Sequence, residues 1–158
     1  MSVRADAKTL QSIPIFADCD PVHLQVMAFA AERQQFLAGE ALIHCGETGD
    51  SAYLILSGQA EIRVPAARQN EIVGQAGPGA FIGEAAMIGD VPYSVTVTAL
   101  TPLVAARIDR QLFMRVAGEY PEFGAAVFKA LASKLDLAMV DLNAVRGHFE
   151  QAKPFSRR

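Results

Sequence analysis

Nine glycines divide the stretch from Arg33 to Ile108: Gly39, Gly46, Gly49, Gly58, Gly74, Gly77, Gly79, Gly83 and Gly89. Glycine is costly inside a helix, so this stretch reads as short strands separated by tight turns. Candidate strands are 33–37, 41–44, 51–56, 59–64, 71–75, 79–82, 93–99 and 102–108. Short strands with frequent turn signals close into a barrel or a double-sheet roll. Residues 52–62 alternate around Ser57-Gly58 and read as a central hairpin pair. Residues 65–70 read as a turn between two further strands.

Helical signals flank this stretch. Residues 7–10 suit a short helix, and Ile13-Pro14-Ile15-Phe16 an apolar clamp that its proline keeps from being helical. Asp20 and Pro21 form an N-cap and first helical position, opening a helix to about Ala31 that buries Leu24, Met27 and Ala28. Asp109 caps a second helix over 110–118. Pro121 opens a long last helix to about Arg146, with Gly147 as its stop. The expected architecture is mainly β with flanking helices: a jelly-roll β-roll over about 33–108, then helices over about 110–148. These make one domain spanning 7–150, between flexible ends at 1–6 and 151–158.

Composition narrows the function classes. The 158 residues are 51% hydrophobic and 20% charged, with a net charge of −3. That argues against disorder and shows no basic excess for nucleic acid. The basic tail of Lys153, Arg157 and Arg158 is too short for a nucleic-acid arm. No membrane-length apolar run and no signal peptide is visible, so a cytoplasmic protein is expected. Cys19, Cys45, His23, His44 and His148 show no metal-ligand spacing, and no metal or resident cofactor is expected. The adjacent His44-Cys45 leaves a haem or redox role as a minor alternative to a surface histidine beside a small thiol.

Residues 81–97 carry the most specific pattern, Phe-Ile-Gly-Glu-Ala-Ala-Met-Ile-Gly-Asp-Val-Pro-Tyr-Ser-Val-Thr-Val. It reads as a strand end, a tight glycine, one helical turn, a Gly/Pro loop and a strand, which presents backbone N–H groups to an anion at a helix start. The stretch resembles the phosphate-binding cassette of the cyclic-nucleotide-binding domain family, of the catabolite activator and protein kinase A regulatory subunit type. Gly83, Glu84, Ala86, Ser94, Thr96 and Val97 match that pattern. Residues 38–43 and 46–58 resemble the family's two glycine turns, the second leading into a Y-x-I-x-x-G-like strand. The resemblance covers about residues 7–148.

The resemblance implies a sensor for cAMP or cGMP. Glu84 would accept a hydrogen bond from the ribose 2′-hydroxyl, an apt role for a charged acceptor; alternatively it only favours the positive end of its helix. Gly83, Ala85 and Ala86 would offer main-chain N–H groups, with the two alanines keeping the mouth uncrowded. Tyr93 stands where the family carries its phosphate-binding arginine. A neutral phenol replaces a permanent charge with a planar fork, so cyclic-nucleotide binding is expected to be weak or altered. Tyr93 alternatively fills the pocket as a strand aromatic. Arg63, Arg68 and Arg107 are candidate substitute charges. Ser94 is a candidate donor to a phosphate or purine edge, or an exposed strand serine.

Phe128, Leu131, Leu135, Ala138, Leu142, Val145 and Phe149 are spaced alternately three and four apart, an a/d seam over three heptads. Apolar residues also lie off the seam, at Val127, Leu137, Met139 and Val140. A helix apolar on two sides is buried on two sides, so a homodimer through this helix is expected, the alternative being one broad stripe on the chain's own roll. No nucleophile elbow, P-loop or zinc motif is present, and no helix-turn-helix follows the last helix. The expectation is a non-enzymatic regulatory module acting through a protein partner, or a degenerate domain serving as a dimeric interaction module.

Overall fold

The structure, a computed structural model, describes residues 3–65 and 71–133. The chain begins with α1 (Val3–Gln11), a 3₁₀ turn over Pro14–Phe16, and α2 (Pro21–Ala30). Helix α1 starts earlier than expected. Residues 3–6, expected to fray, form its first turn, and Asp6 is buried there with Oδ2 2.5 Å from Nη2 of Arg33. Pro14 opens the 3₁₀ turn instead of preventing it, because the first position of a helical turn needs no N–H donor. In α2, Asp20 caps as expected, its Oδ1 accepting from Val22 N at 2.9 Å.

Eight strands follow: β1 (Glu32–Phe36), β2 (Ala41–Ile43), β3 (Ser51–Ser57), β4 (Ala60–Val64), β5 (Glu71–Ala76), β6 (Phe81–Ile82), β7 (Thr96–Ala99) and β8 (Leu103–Asp109). A five-residue helix α3 (Glu84–Ile88) lies between β6 and β7, and α4 (Arg110–Glu119) follows β8. Two antiparallel four-stranded sheets, ordered β1-β8-β3-β6 and β2-β7-β4-β5, make the jelly roll. The expected hairpin of β3 with β4 does not form, because the two strands lie in different sheets. β3 pairs with β8 and β6, while β4 pairs with β5 and β7. Gly58 makes the crossing. It sits at φ +92°, and a Cβ there would lie 2.4 Å from the Pro102 carbonyl oxygen, so only glycine fits the turn.

Two cores result. Ala52, Leu54 and Leu56 of β3 join Phe16, Leu24, Met27, Phe113, Phe123 and Val127 between the first sheet and the helices. Tyr53 and Ile55 point the other way and join Ile43, Val97, Ala99 and Ala105 inside the roll. Successive strand residues face opposite sides, which lets one strand serve both cores.

At the C-terminal side, Asp109 caps α4 through a 2.8 Å bond from Leu112 N to its Oδ1. Tyr120 breaks the helix and residues 121–133 form the next one. Phe123 and Val127 are fully buried, Leu131 packs against the helical core, and Phe128 is 56% exposed. Of the seam, Leu135, Ala138, Leu142, Val145 and Phe149 lie outside the described residues, as does the expected helix end at Arg146 and Gly147.

Candidate functional site

The cassette forms as its pattern requires. β6 ends at Ile82 and Gly83 caps α3 at φ +92°. The Gly83 carbonyl accepts from the N–H groups of Ala86 and Met87 at 3.1 Å, closing the first turn. A Cβ at Gly83 would lie 2.8 Å from the Ser51 carbonyl oxygen and 3.3 Å from both Ile43 Cδ1 and Tyr93 Cε1. This glycine therefore serves both a left-handed backbone and a crowded seat beneath the helix start.

Tyr93 does not lie in β7, which begins three residues later at Thr96. Its main chain is taken by the turn opposite. Tyr93 N–H donates to the Glu47 carbonyl at 3.0 Å, and Gly46 N–H donates to the Tyr93 carbonyl at 2.8 Å. The side chain folds inward over that turn. The Tyr93 hydroxyl donates to the Ser51 carbonyl at 2.8 Å and accepts from Ser51 N–H at 3.3 Å. Its ring packs with the core inside the roll. Burial pushes the phenol's pKa above its ordinary value near 10, and the bond to the Ser51 backbone opposes part of that rise.

The other candidates fall as follows. Glu84 opens α3 at intermediate burial, and Ala85 is exposed. Ala86 is buried, so its methyl lies under the cassette and does not line the mouth. Ser94 is exposed. Of the candidate substitute charges, Arg63 Nε lies 2.7 Å from Glu61 Oε1. Arg107 is ringed by carboxylates, at 3.4 Å from Glu32, 3.4 Å from Asp50 and 3.6 Å from Asp109. Both are already neutralised by acids, and Arg68 lies outside the described residues. His44 is exposed, the Cys45 N–H donates to Thr96 Oγ1 at 3.0 Å, and no group of three potential metal ligands occurs among the described residues.

Three residues that the sequence did not single out complete the site. Ser51 supplies the backbone groups that hold the phenol. Gly49 provides the space beneath its ring. Arg110, the first residue of α4, clasps the cassette from behind: one Nη2 donates to the carbonyls of Ala86 at 2.8 Å, Gly89 at 2.9 Å and Gly49 at 3.3 Å. All three contacts span long sequence separations, so no local pattern announces them.

A jelly roll that carries a one-turn helix on a glycine between two strands, with helices packed behind it, defines a β-roll with a helical cassette. The chain belongs to the cyclic nucleotide-binding domain family, whose model matches residues 33–120. It is 34% identical over 109 residues to a cAMP-dependent protein kinase regulatory subunit of Yarrowia lipolytica, covering 69% of this chain and 28% of that protein. An uncharacterised NTE family protein of Mycobacterium tuberculosis is 32% identical over 131 residues, covering 82% of this chain and 22% of that one. The chain thus spans roughly a quarter of the length of these curated relatives. Among solved structures, a cyclic nucleotide-binding-like protein from Brucella abortus is 29% identical with a TM-score of 0.66, covering 72% of this chain and 98% of that one. No helix among the described residues is long and apolar enough to cross a membrane.

Proposed function

We propose that this chain is a non-enzymatic regulatory module whose cassette takes cyclic nucleotides, cAMP or cGMP, with weakened affinity. The observation that carries this reading is Tyr93. It occupies the family's arginine position and spends its only hydroxyl on Ser51. Loss of one charged partner from a buried pair costs ~2–5 kcal/mol. At about 1.4 kcal/mol per decade this is roughly 30- to 4,000-fold in affinity. The acids around Arg63 and Arg107 support the same reading, since neither arginine is left to replace the missing charge. Glu84 keeps the ribose-accepting role in this proposal, and Gly83 and Ala85 the backbone contacts. Calorimetric titration of cAMP and cGMP at physiological salt tests it. Weak binding is expected, and sub-micromolar affinity would overturn the reading of Tyr93.

The output of such a module runs through the last helix and a protein partner. Phe123 and Val127 bury one side of residues 121–133, and the seam residue Leu131 packs on that same core, while Phe128, the first seam position, stands exposed. That two-sidedness favours a symmetric dimer continued along Leu135 and Leu142, because soluble monomers avoid long apolar stripes. Leu135→Asp with Leu142→Asp should convert a dimer to folded monomers by light scattering. A wild-type monomer at tens of micromolar would sink the dimer.

A further inference from the structure

We propose that Tyr93 and Gly49 form a gate: the phenol is a resident occupant of the cassette, seated on Gly49, and a ligand enters only by displacing it. The inference rests on the reading of the cassette as a nucleotide site, and goes beyond a missing charge. Three observations carry it. The ring lies between two glycines. A Cβ at Gly49 would fall 2.3 Å from its Cε2 and 2.6 Å from its Cζ and Oη, while a Cβ at Gly83 would fall 3.3 Å from its Cε1. The hydroxyl is latched at both backbone groups of Ser51. The residue's own main chain is pinned to the 46–47 turn, so the side chain can swing while its anchor stays fixed.

The two glycines differ in a way that makes the gate testable. Gly83 has a positive φ, and a side chain there would also strike the Ser51 carbonyl. Gly49 has no positive φ, and the nearest atoms to its added Cβ all belong to the far end of the Tyr93 ring. Gly49→Ala therefore leaves the backbone unstrained and evicts the phenol, although Tyr93 itself is unchanged. A closed gate lowers apparent affinity by the fraction of open molecules. Opening a gate that is closed in nine molecules of ten recovers about tenfold.

The experiment compares wild type, Gly49→Ala, Tyr93→Ala and Tyr93→Arg by cAMP titration, with circular dichroism melts to show that each is folded. The Tyr93 ring resonances are followed by NMR in wild type and Gly49→Ala. The gate predicts that Gly49→Ala and Tyr93→Ala both bind cAMP about tenfold more tightly than wild type, and that Gly49→Ala shifts the Tyr93 ring signals toward those of an exposed tyrosine. If Tyr93→Arg gains affinity while the other two stay at the wild-type value, the gate is overturned and the nucleotide reading stands. If no variant binds, Tyr93→Arg included, both fall together. Tyr93 ring signals unmoved by Gly49→Ala would overturn the seat at Gly49 in every case.

Discussion

The two faces of β3 differ sharply in chemistry. Toward the helices it presents Ala52, Leu54 and Leu56 to a core built from Phe16, Phe113, Phe123, Leu24 and Met27. There Phe16 stacks on Phe123 with ring centroids 6.1 Å apart and meets the Phe81 edge at 5.5 Å. Toward the interior of the roll it presents Tyr53 and Ile55, beside the Tyr93 phenol and the Arg107–Asp50 pair. The helical side holds the sheet, the 3₁₀ turn and the last helix together mainly by apolar burial, with the Asp6–Arg33 ion pair and the His23 ring stacked on Tyr120 at its margin. The roll side mixes phenols, an arginine and carboxylates next to the cassette. In the proposed function, stability and ligand control would thus fall to opposite faces of one strand, so residues can be changed on one face while the other is kept.

The largest expected effect breaks the helical face. Phe16 is fully buried, and Phe16→Ala should cost ~3–5 kcal/mol in urea unfolding. The ratio of cAMP to cGMP affinity should stay at the wild-type value under conditions where the variant is folded. A changed ratio would mean that the two faces are not independent. A smaller effect sharpens the roll face. The Tyr53 and Tyr93 phenols are both raised above their ordinary value, burial being the main cause. An acid whose folded pKa is raised stabilises fully below its unfolded value near 10, and that contribution is lost as pH climbs through the folded value. Stability should therefore fall with rising pH above about 10, and the fall should be shallower in Tyr53→Phe and Tyr93→Phe. Cys19, on the helical side, is raised to about 11 by burial and the neighbouring Asp18, with the same sign. Cys19→Ala separates the contributions. A fall unchanged by both tyrosine substitutions and removed by Cys19→Ala would place the alkaline sensitivity on the wrong face.

Much of this was legible in the sequence because its signals are local. The caps at Asp20 and Asp109 and the glycine-to-helix step at Gly83 were each encoded within a few residues. The pairing of strands was not. Alternation over residues 52–62 suggests a hairpin equally well whether β3 and β4 pair or part, and the partners each strand takes instead lie far along the chain, β8 for β3 and β7 for β4. Tyr93 shows the same limit. Its departure from the family pattern is visible in the chain, but not its bonds to Ser51 or its seat on Gly49, which lie more than 40 residues away. Arg110 was hidden for a similar reason, since its partners are the carbonyls of Gly49, Ala86 and Gly89. Side-chain contacts with distant backbone leave no mark on residue type or periodicity.

In the proposed function a single residue on the roll face, Tyr93, sets the affinity of an otherwise competent cassette. Calorimetric titration of cAMP into wild type, Tyr93→Arg, and Tyr93→Arg with Glu84→Ala tests it most directly. Introducing arginine should tighten binding roughly tenfold or more, and removing the Glu84 carboxylate should reverse much of that gain. An arginine variant that is folded and binds no better than wild type would contradict it.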